Sequence, residues 1–156
     1  MSMRKKISLI APFYNEGEGV DHFYRAIDSV LALMPEHDFE VVCVDDGSRD
    51  DTLPRLVRLA ELDPRFLVIE LSRNFGKEAA LTAGIDAATG NAIIPLDADL
   101  QDPPELIPQM IAAWLDGAEV VLARRVDRSS DSYLKRKTAE SFYRFHNRLS
   151  SIKIPE

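Results

Sequence analysis

The chain has a single cysteine, Cys43, which excludes an internal disulfide; its place inside the apolar run FEVVCVDD reads as a small core residue and points weakly to a reducing setting. No stretch approaches the roughly 18 consecutive apolar residues that a membrane-spanning helix needs. The N-terminal MSMRKKISLIAPFYNE holds only a short apolar run before Asn15 and Glu16, so it reads as a first strand and not as a signal peptide. Internal repeats and low-complexity segments are lacking. Positive charge is in deficit: 19 Lys and Arg stand against 26 Asp and Glu, and the net charge of −7 speaks against general nucleic-acid binding.

What is present is an ordinary globular composition, 46% hydrophobic and 29% charged, in 156 residues, the size of one domain with a real core. The charge is unevenly spread. Residues 1–123 carry 10 Lys and Arg against 22 Asp and Glu, whereas residues 124–156 carry 9 against 4. An acidic body, 1–123, therefore bears a basic segment, 124–156, where something anionic is free to approach.

Five short apolar runs recur at 7–13, 39–44, 66–71, 91–96 and 118–123, of the length and Val/Ile/Leu content that suit strands buried on both faces. Helical spacing separates them. It is carried by Phe23, Ile27, Val30, Leu31 and Met34, by TLPRLVRLAEL, by KEAALTAGIDAATG ending at Gly90, and by PPELIPQMIAAWLDG, which opens on prolines. The alternation predicts an α/β fold with a mainly parallel sheet flanked by helices. Pro108 sits awkwardly near the start of its helix. The stretch 133–149 predicts a basic amphipathic helix, open to two readings: a last helix packed on the sheet, or one lying on a membrane surface.

In such a sheet ligands bind beyond the carboxyl ends of the strands. The residues that follow the runs are PFYNE, VDDGS, LSRNFGKE, LDADLQD and ARRVDR, which gathers acids, amides, a lysine and arginines on one rim. If the fourth strand stays extended through Ala98, Asp97 and Asp99 point to one side, and two carboxylates there call for a cation such as Mg²⁺ or Mn²⁺. The bare Asp-x-Asp is equally a solvated loop or cap. Asp45 and Asp46 are either a turn and helix cap or a contact to a base or ribose. Lys77 is either an idle first-turn residue or a phosphate partner at a helix N-terminus. Tyr14, Asn15 and Glu16 belong to a loop and cap or to an aromatic and polar cradle for a base, and Arg125 and Arg128 are solvated or grip phosphate.

ISLIAPFYNEGEGV, VVCVDDGSRDDT, LSRNFGKEAALTAGIDAATGNAIIPLDADLQDPPELI and RRVDRSSDSYLKRKTAESFYRFHNRLS together resemble the family 2 glycosyltransferases with a GT-A, Rossmann-like fold. The branch they resemble includes dolichol-phosphate mannose synthase and the bacterial polyprenyl-phosphate glycosyltransferases. The resemblance implies an inverting transfer of a single sugar from a UDP- or GDP-sugar to a polyprenyl phosphate at the cytoplasmic side of a membrane. It places Pro12, Tyr14, Glu16, Asp45, Asp46, Lys77 and Ala98 around the nucleotide sugar. Asp97 and Asp99 would be catalytic and, with Gln101, would hold Mg²⁺ or Mn²⁺. Arg125, Arg128 and Arg136 would lie on the phosphate or acceptor side, with Arg124 an alternative to Arg125.

The resemblance also implies that the protein continues past Glu156 into acceptor-side motifs and membrane helices. A nucleotide-sugar-binding unit without activity of its own, and a transferase acting on a saccharide hydroxyl, remain the alternatives. A phosphoacceptor signalling domain fits poorly, because its acid pair follows the first strand and not the second and fourth. A homo-oligomer, the sugar, and UDP against GDP are left open.

Overall fold

The computed structural model describes residues 4–123. Strands β1 (Lys6–Phe13), β2 (Asp38–Asp45), β3 (Phe66–Glu70) and β4 (Ala92–Pro95) alternate with helices α1 (Val20–Leu31), α2 (Thr52–Leu62), α3 (Lys77–Ala87) and α4 (Ile107–Leu115). All pairings are parallel and the order is β3-β2-β1-β4. Parallel neighbours need long crossovers, and the helices supply them. The chain steps outward from β1 to β3, then returns to the far side of β1 for β4. The order thus reverses between β1 and β4, the place where open α/β sheets take ligands.

In β1 and β2 the apolar runs lack alternation because both faces of the sheet are covered there, whereas the outer strands leave Leu67 of β3 and Ile93 of β4 exposed. Ile7, Leu9, Ala11 and Phe13 of β1, with Val41 and Cys43 of β2, meet Phe23 and Ile27 of α1, Leu56 of α2, and Ile107 and Ile111 of α4. Ile10, Val42 and Val44 point the other way onto Ala80 of α3. That helix lies close because its sheet-facing residues are small: a Cβ on Gly84 would stand 2.3 Å from Ile10 Cγ2. Cys43 is fully buried, and burial pushes its thiol up to about 12.

Three sequence expectations change. The run 118–123 forms no strand. The chain leaves α4 through Gly117 at φ 104°, and Val120 is 75% exposed. Apolar residues make a strand only where a neighbour satisfies the backbone groups, and hydropathy does not reveal that neighbour. The helix expected from Pro103 instead opens as a 3-10 turn, Pro104–Leu106, before α4 begins at Ile107. Pro108 then falls in the first turn, where no intrahelical N–H is needed. Finally, β4 ends at Pro95, short of the acids that follow it. The predicted helix at 133–149 lies outside the described residues, as does the whole basic segment 124–156.

Candidate functional site

At the order reversal the carboxyl ends of the strands enclose a pocket of about 250 Å³. Pro12, Phe13, Tyr14 and Glu16 enter from the end of β1, and Asp97, Ala98 and Asp99 from beyond β4. Asp46 comes from the end of β2, and Asn74, Gly76 and Lys77 from the start of α3. Tyr14 is 42% exposed, an aromatic face offered to solvent at the mouth.

The loop after β2 holds this rim together. Asn15 N–H donates to Ser48 Oγ at 3.0 Å, and Arg49 N–H donates back to Asn15 Oδ1 at 2.8 Å. Glu16 N–H donates to Thr52 Oγ1 at 2.9 Å and Gly17 N–H to Asp50 Oδ2 at 3.1 Å. The Thr52 hydroxyl, donating to Asp50, holds that carboxyl below its ordinary range. These bonds keep Asn15 in the left-handed region at φ 53°, which a short polar side chain with local partners tolerates.

Asp46 ties the third loop. Only 3% exposed, it accepts Phe75 N–H on Oδ1 at 2.7 Å and Gly76 N–H on Oδ2 at 2.9 Å. Gly76 has φ 98°, which glycine adopts without strain, and the next residue opens α3. That residue is Lys77, whose Nζ donates to Asp97 Oδ1 at 2.5 Å. Beneath the rim, Asp45 is 1% exposed. Its Oδ2 accepts Ser48 N–H, while its Oδ1 is buried without a hydrogen-bond partner among the described residues.

Asp97 and Asp99 do not share the face of an extended strand. Leu100 N–H donates to Asp97 O at 3.0 Å, closing a turn, and Asp99 Oδ1 accepts Gln101 N–H at 3.3 Å. The expected i, i+2 alignment fails because the strand has already stopped. The turn nevertheless brings both acids to the pocket wall. Leu100 sits at φ 52°, unusual for a bulky apolar residue and a mark of strain next to the acids.

Among the described residues no three His, Cys, Asp or Glu side chains are already gathered for a metal. The donor chemistry still suits Mg²⁺ or Mn²⁺. Among the described residues, Glu16, Asp46, Asp97 and Asp99 line the pocket against the single cation Lys77, so a phosphorylated ligand would meet a surplus of negative charge from them. Such ions are commonly held by one or two carboxylates and complete their shell with water and phosphate oxygens.

Of the residues expected at the site, Pro12, Tyr14, Glu16, Asp46, Lys77, Asp97, Ala98 and Asp99 converge. Asp45 lies buried beneath them, and exposed Gln101 is not part of the lining. Arg125, Arg128 and Arg136 lie outside the described residues. Asn74 and Gly76 also line the pocket, and the sequence signal for them is a glycine just before a helix-forming run. Ser48, Asp50 and Thr52 act as ties to the loop after β1.

A parallel, doubly wound sheet with an acidic pocket at its order reversal, in a fold shared with solved glycosyltransferases, places the chain in the GT-A, Rossmann-like class. Within that class the chain belongs to glycosyl transferase family 2, whose family model matches residues 8–155. It is 50% identical over 151 residues to a bactoprenol glucosyl transferase of Shigella phage SfX, covering 97% of this chain and 49% of that protein. The identity and coverages are the same for a prophage bactoprenol glucosyl transferase homolog of Escherichia coli K12. The chain thus spans about half the length of the curated relatives it matches. Among solved structures it is similar to the mannosyltransferase PcManGT of Pyrobaculum calidifontis in complex with GDP-Man and Mn²⁺. The TM-score is 0.66 at 28% identity, covering 91% of this chain and 41% of that one. No helix of the described residues is long and apolar enough to cross a membrane.

Proposed function

We propose that this chain forms the donor-binding part of an inverting glycosyltransferase that moves one sugar from a UDP- or GDP-sugar to a polyprenyl phosphate. The observation that carries the reading is the convergence of Tyr14 and Glu16, Lys77, and Asp97 with Asp99 on one pocket at the order reversal. The bactoprenol glucosyl transferase relatives support the lipid acceptor, and the GDP-Man and Mn²⁺ complex of the structural neighbour supports the donor and the ion.

In this reading Pro12, Tyr14, Glu16 and Asp45 receive the nucleoside. The diphosphate lies toward Lys77, whose ammonium offsets the charge that develops on the leaving group as the bond to the anomeric carbon breaks. Asp97 and Asp99, with Gln101, would hold Mg²⁺ or Mn²⁺, which when bound supplies further charge stabilisation to the departing diphosphate. Arg125, Arg128 and Arg136 would serve the phosphate or acceptor side. A lipid phosphate is ionised at neutral pH, so its oxygen attacks without a strong general base. A saccharide hydroxyl would need one, supplied by Asp99 or by an acid outside this segment.

The test is incubation of the intact parent protein with radiolabelled nucleotide sugars and polyprenyl phosphate in Mg²⁺ or Mn²⁺. Label in the lipid phase is expected. Release of free sugar alone, or labelling of a soluble saccharide, defeats the lipid-acceptor reading.

A further inference from the structure

Asp46 lines the pocket, yet both of its carboxylate oxygens are already engaged, one by Phe75 N–H and the other by Gly76 N–H. It stands at the end of β2, and the amides it holds lie some thirty positions further along the chain, immediately before Lys77. Those hydrogen bonds are charge-assisted and their acceptor, Asp46, is almost wholly removed from water, so they set the path of the backbone into α3. Gly76 completes the device. Its φ of 98° turns the chain abruptly, and a Cβ built there would meet nothing within 4 Å. Glycine is therefore required by the backbone angle and not by space. Lys77 leaves this turn and reaches Asp97.

We infer that Asp46 is a positioning residue: it fixes the Gly76 turn and so sets where the Lys77 ammonium stands against the donor diphosphate, without itself holding the nucleoside. The inference rests on the donor-site reading proposed above. Asp46→Asn discriminates well, because the amide keeps one acceptor but presents an NH₂ group to the other backbone N–H, donor against donor. The turn loosens while shape and volume are kept.

The experiment compares the affinity of the full chain for UDP and GDP, with Mg²⁺, against its affinity for uridine and guanosine, followed by ligand-observed NMR. For the nucleotide that wild type binds, Asp46→Asn is expected to weaken the diphosphate at least tenfold and to leave the nucleoside within twofold. In a Lys77→Met background the same substitution is expected to add less than twofold, since the two act on one interaction. Gly76→Ala, which strains the turn with Asp46 intact, is expected to reproduce the selective loss and serves where Asp46→Asn does not fold. A parallel loss of nucleoside and diphosphate in Asp46→Asn, or a full tenfold loss persisting without Lys77, overturns the positioning role and leaves the donor site standing. Wild-type protein that binds neither diphosphate defeats the donor-site reading itself.

Discussion

Lys77 Nζ lies 2.5 Å from Asp97 Oδ1, joining the first residue of α3 to the turn beyond β4 across the mouth of the pocket. The lysine side chain is 64% exposed and the aspartate 33%, so the pair itself contributes little to folding, on the order of 0–1 kcal/mol. Its importance is positional: among the described residues Lys77 is the one cation on the pocket wall, and it is parked against an acid that the proposed reaction needs.

Lys77→Met is accordingly expected to leave the melting temperature of the unliganded chain within a degree or two, on the order expected for an exposed pair. It is expected to remove most of the stabilisation given by UDP or GDP with Mg²⁺. Thermal melts with and without nucleotide check both halves.

Asp99→Asn should abolish the part of nucleotide stabilisation that depends on the divalent ion, because one of the two carboxylates proposed to hold that ion is neutralised. Melts in Mg²⁺, Mn²⁺ and EDTA read this directly. Nucleotide stabilisation of the wild type that is as large in EDTA as in Mg²⁺ or Mn²⁺ would count against a metal at this turn.

At the opposite end of the sheet, Glu40 is 5% exposed and pairs with Lys6 at 2.6 Å. It also accepts from Ser8 Oγ at 2.5 Å, and from Thr89 N–H at 2.6 Å and Thr89 Oγ1 at 2.8 Å. Burial alone would raise its pKa, but Lys6 and the hydrogen bonds outweigh burial and bring it from 4.5 to about 2. The folded value lies below the unfolded one. The contribution is therefore fully present above about 4.5 and is lost as pH falls toward about 2. Glu40→Gln should destabilise the chain by about 2 kcal/mol at neutral pH and flatten the stability profile in that acid window. Urea melts at stepped pH provide the comparison.

Gly47 has φ 66°, and a Cβ there would stand 2.3 Å from the backbone carbonyl carbon of Arg73. Gly47→Ala is expected to cost at least about 1–3 kcal/mol, since backbone on both sides must move. A lowered denaturation midpoint with unchanged m-value is the expected signature.

Much of the fold was legible because a sheet covered on both faces writes itself as unbroken apolar runs. The stretch TLPRLVRLAEL became α2 with the expected limits, Thr52–Leu62. The site was legible as a set of strand ends, because topology alone sends them to one rim. What could not be read was how far each strand continues. Asp97 and Asp99 reach the pocket through a turn closed by Leu100 N–H, and whether a strand persists for two more residues depends on ladder partners outside the local sequence. Asp46 was equally opaque: a carboxylate after a strand looks the same whether it meets a ribose or two amides contributed by residues some thirty positions away.

The segment from Asp46 to Thr52 holds the loop after β1 through Ser48, Asp50 and Thr52, and the loop before α3 through Asp46. Loops anchored to a common strap have little freedom to open one at a time. The amides of Asn15, Glu16, Gly17, Phe75 and Gly76 should thus exchange with solvent deuterium as one cooperative unit, with a shared opening free energy below that of global unfolding. A ligand bridging the pocket would slow all five together.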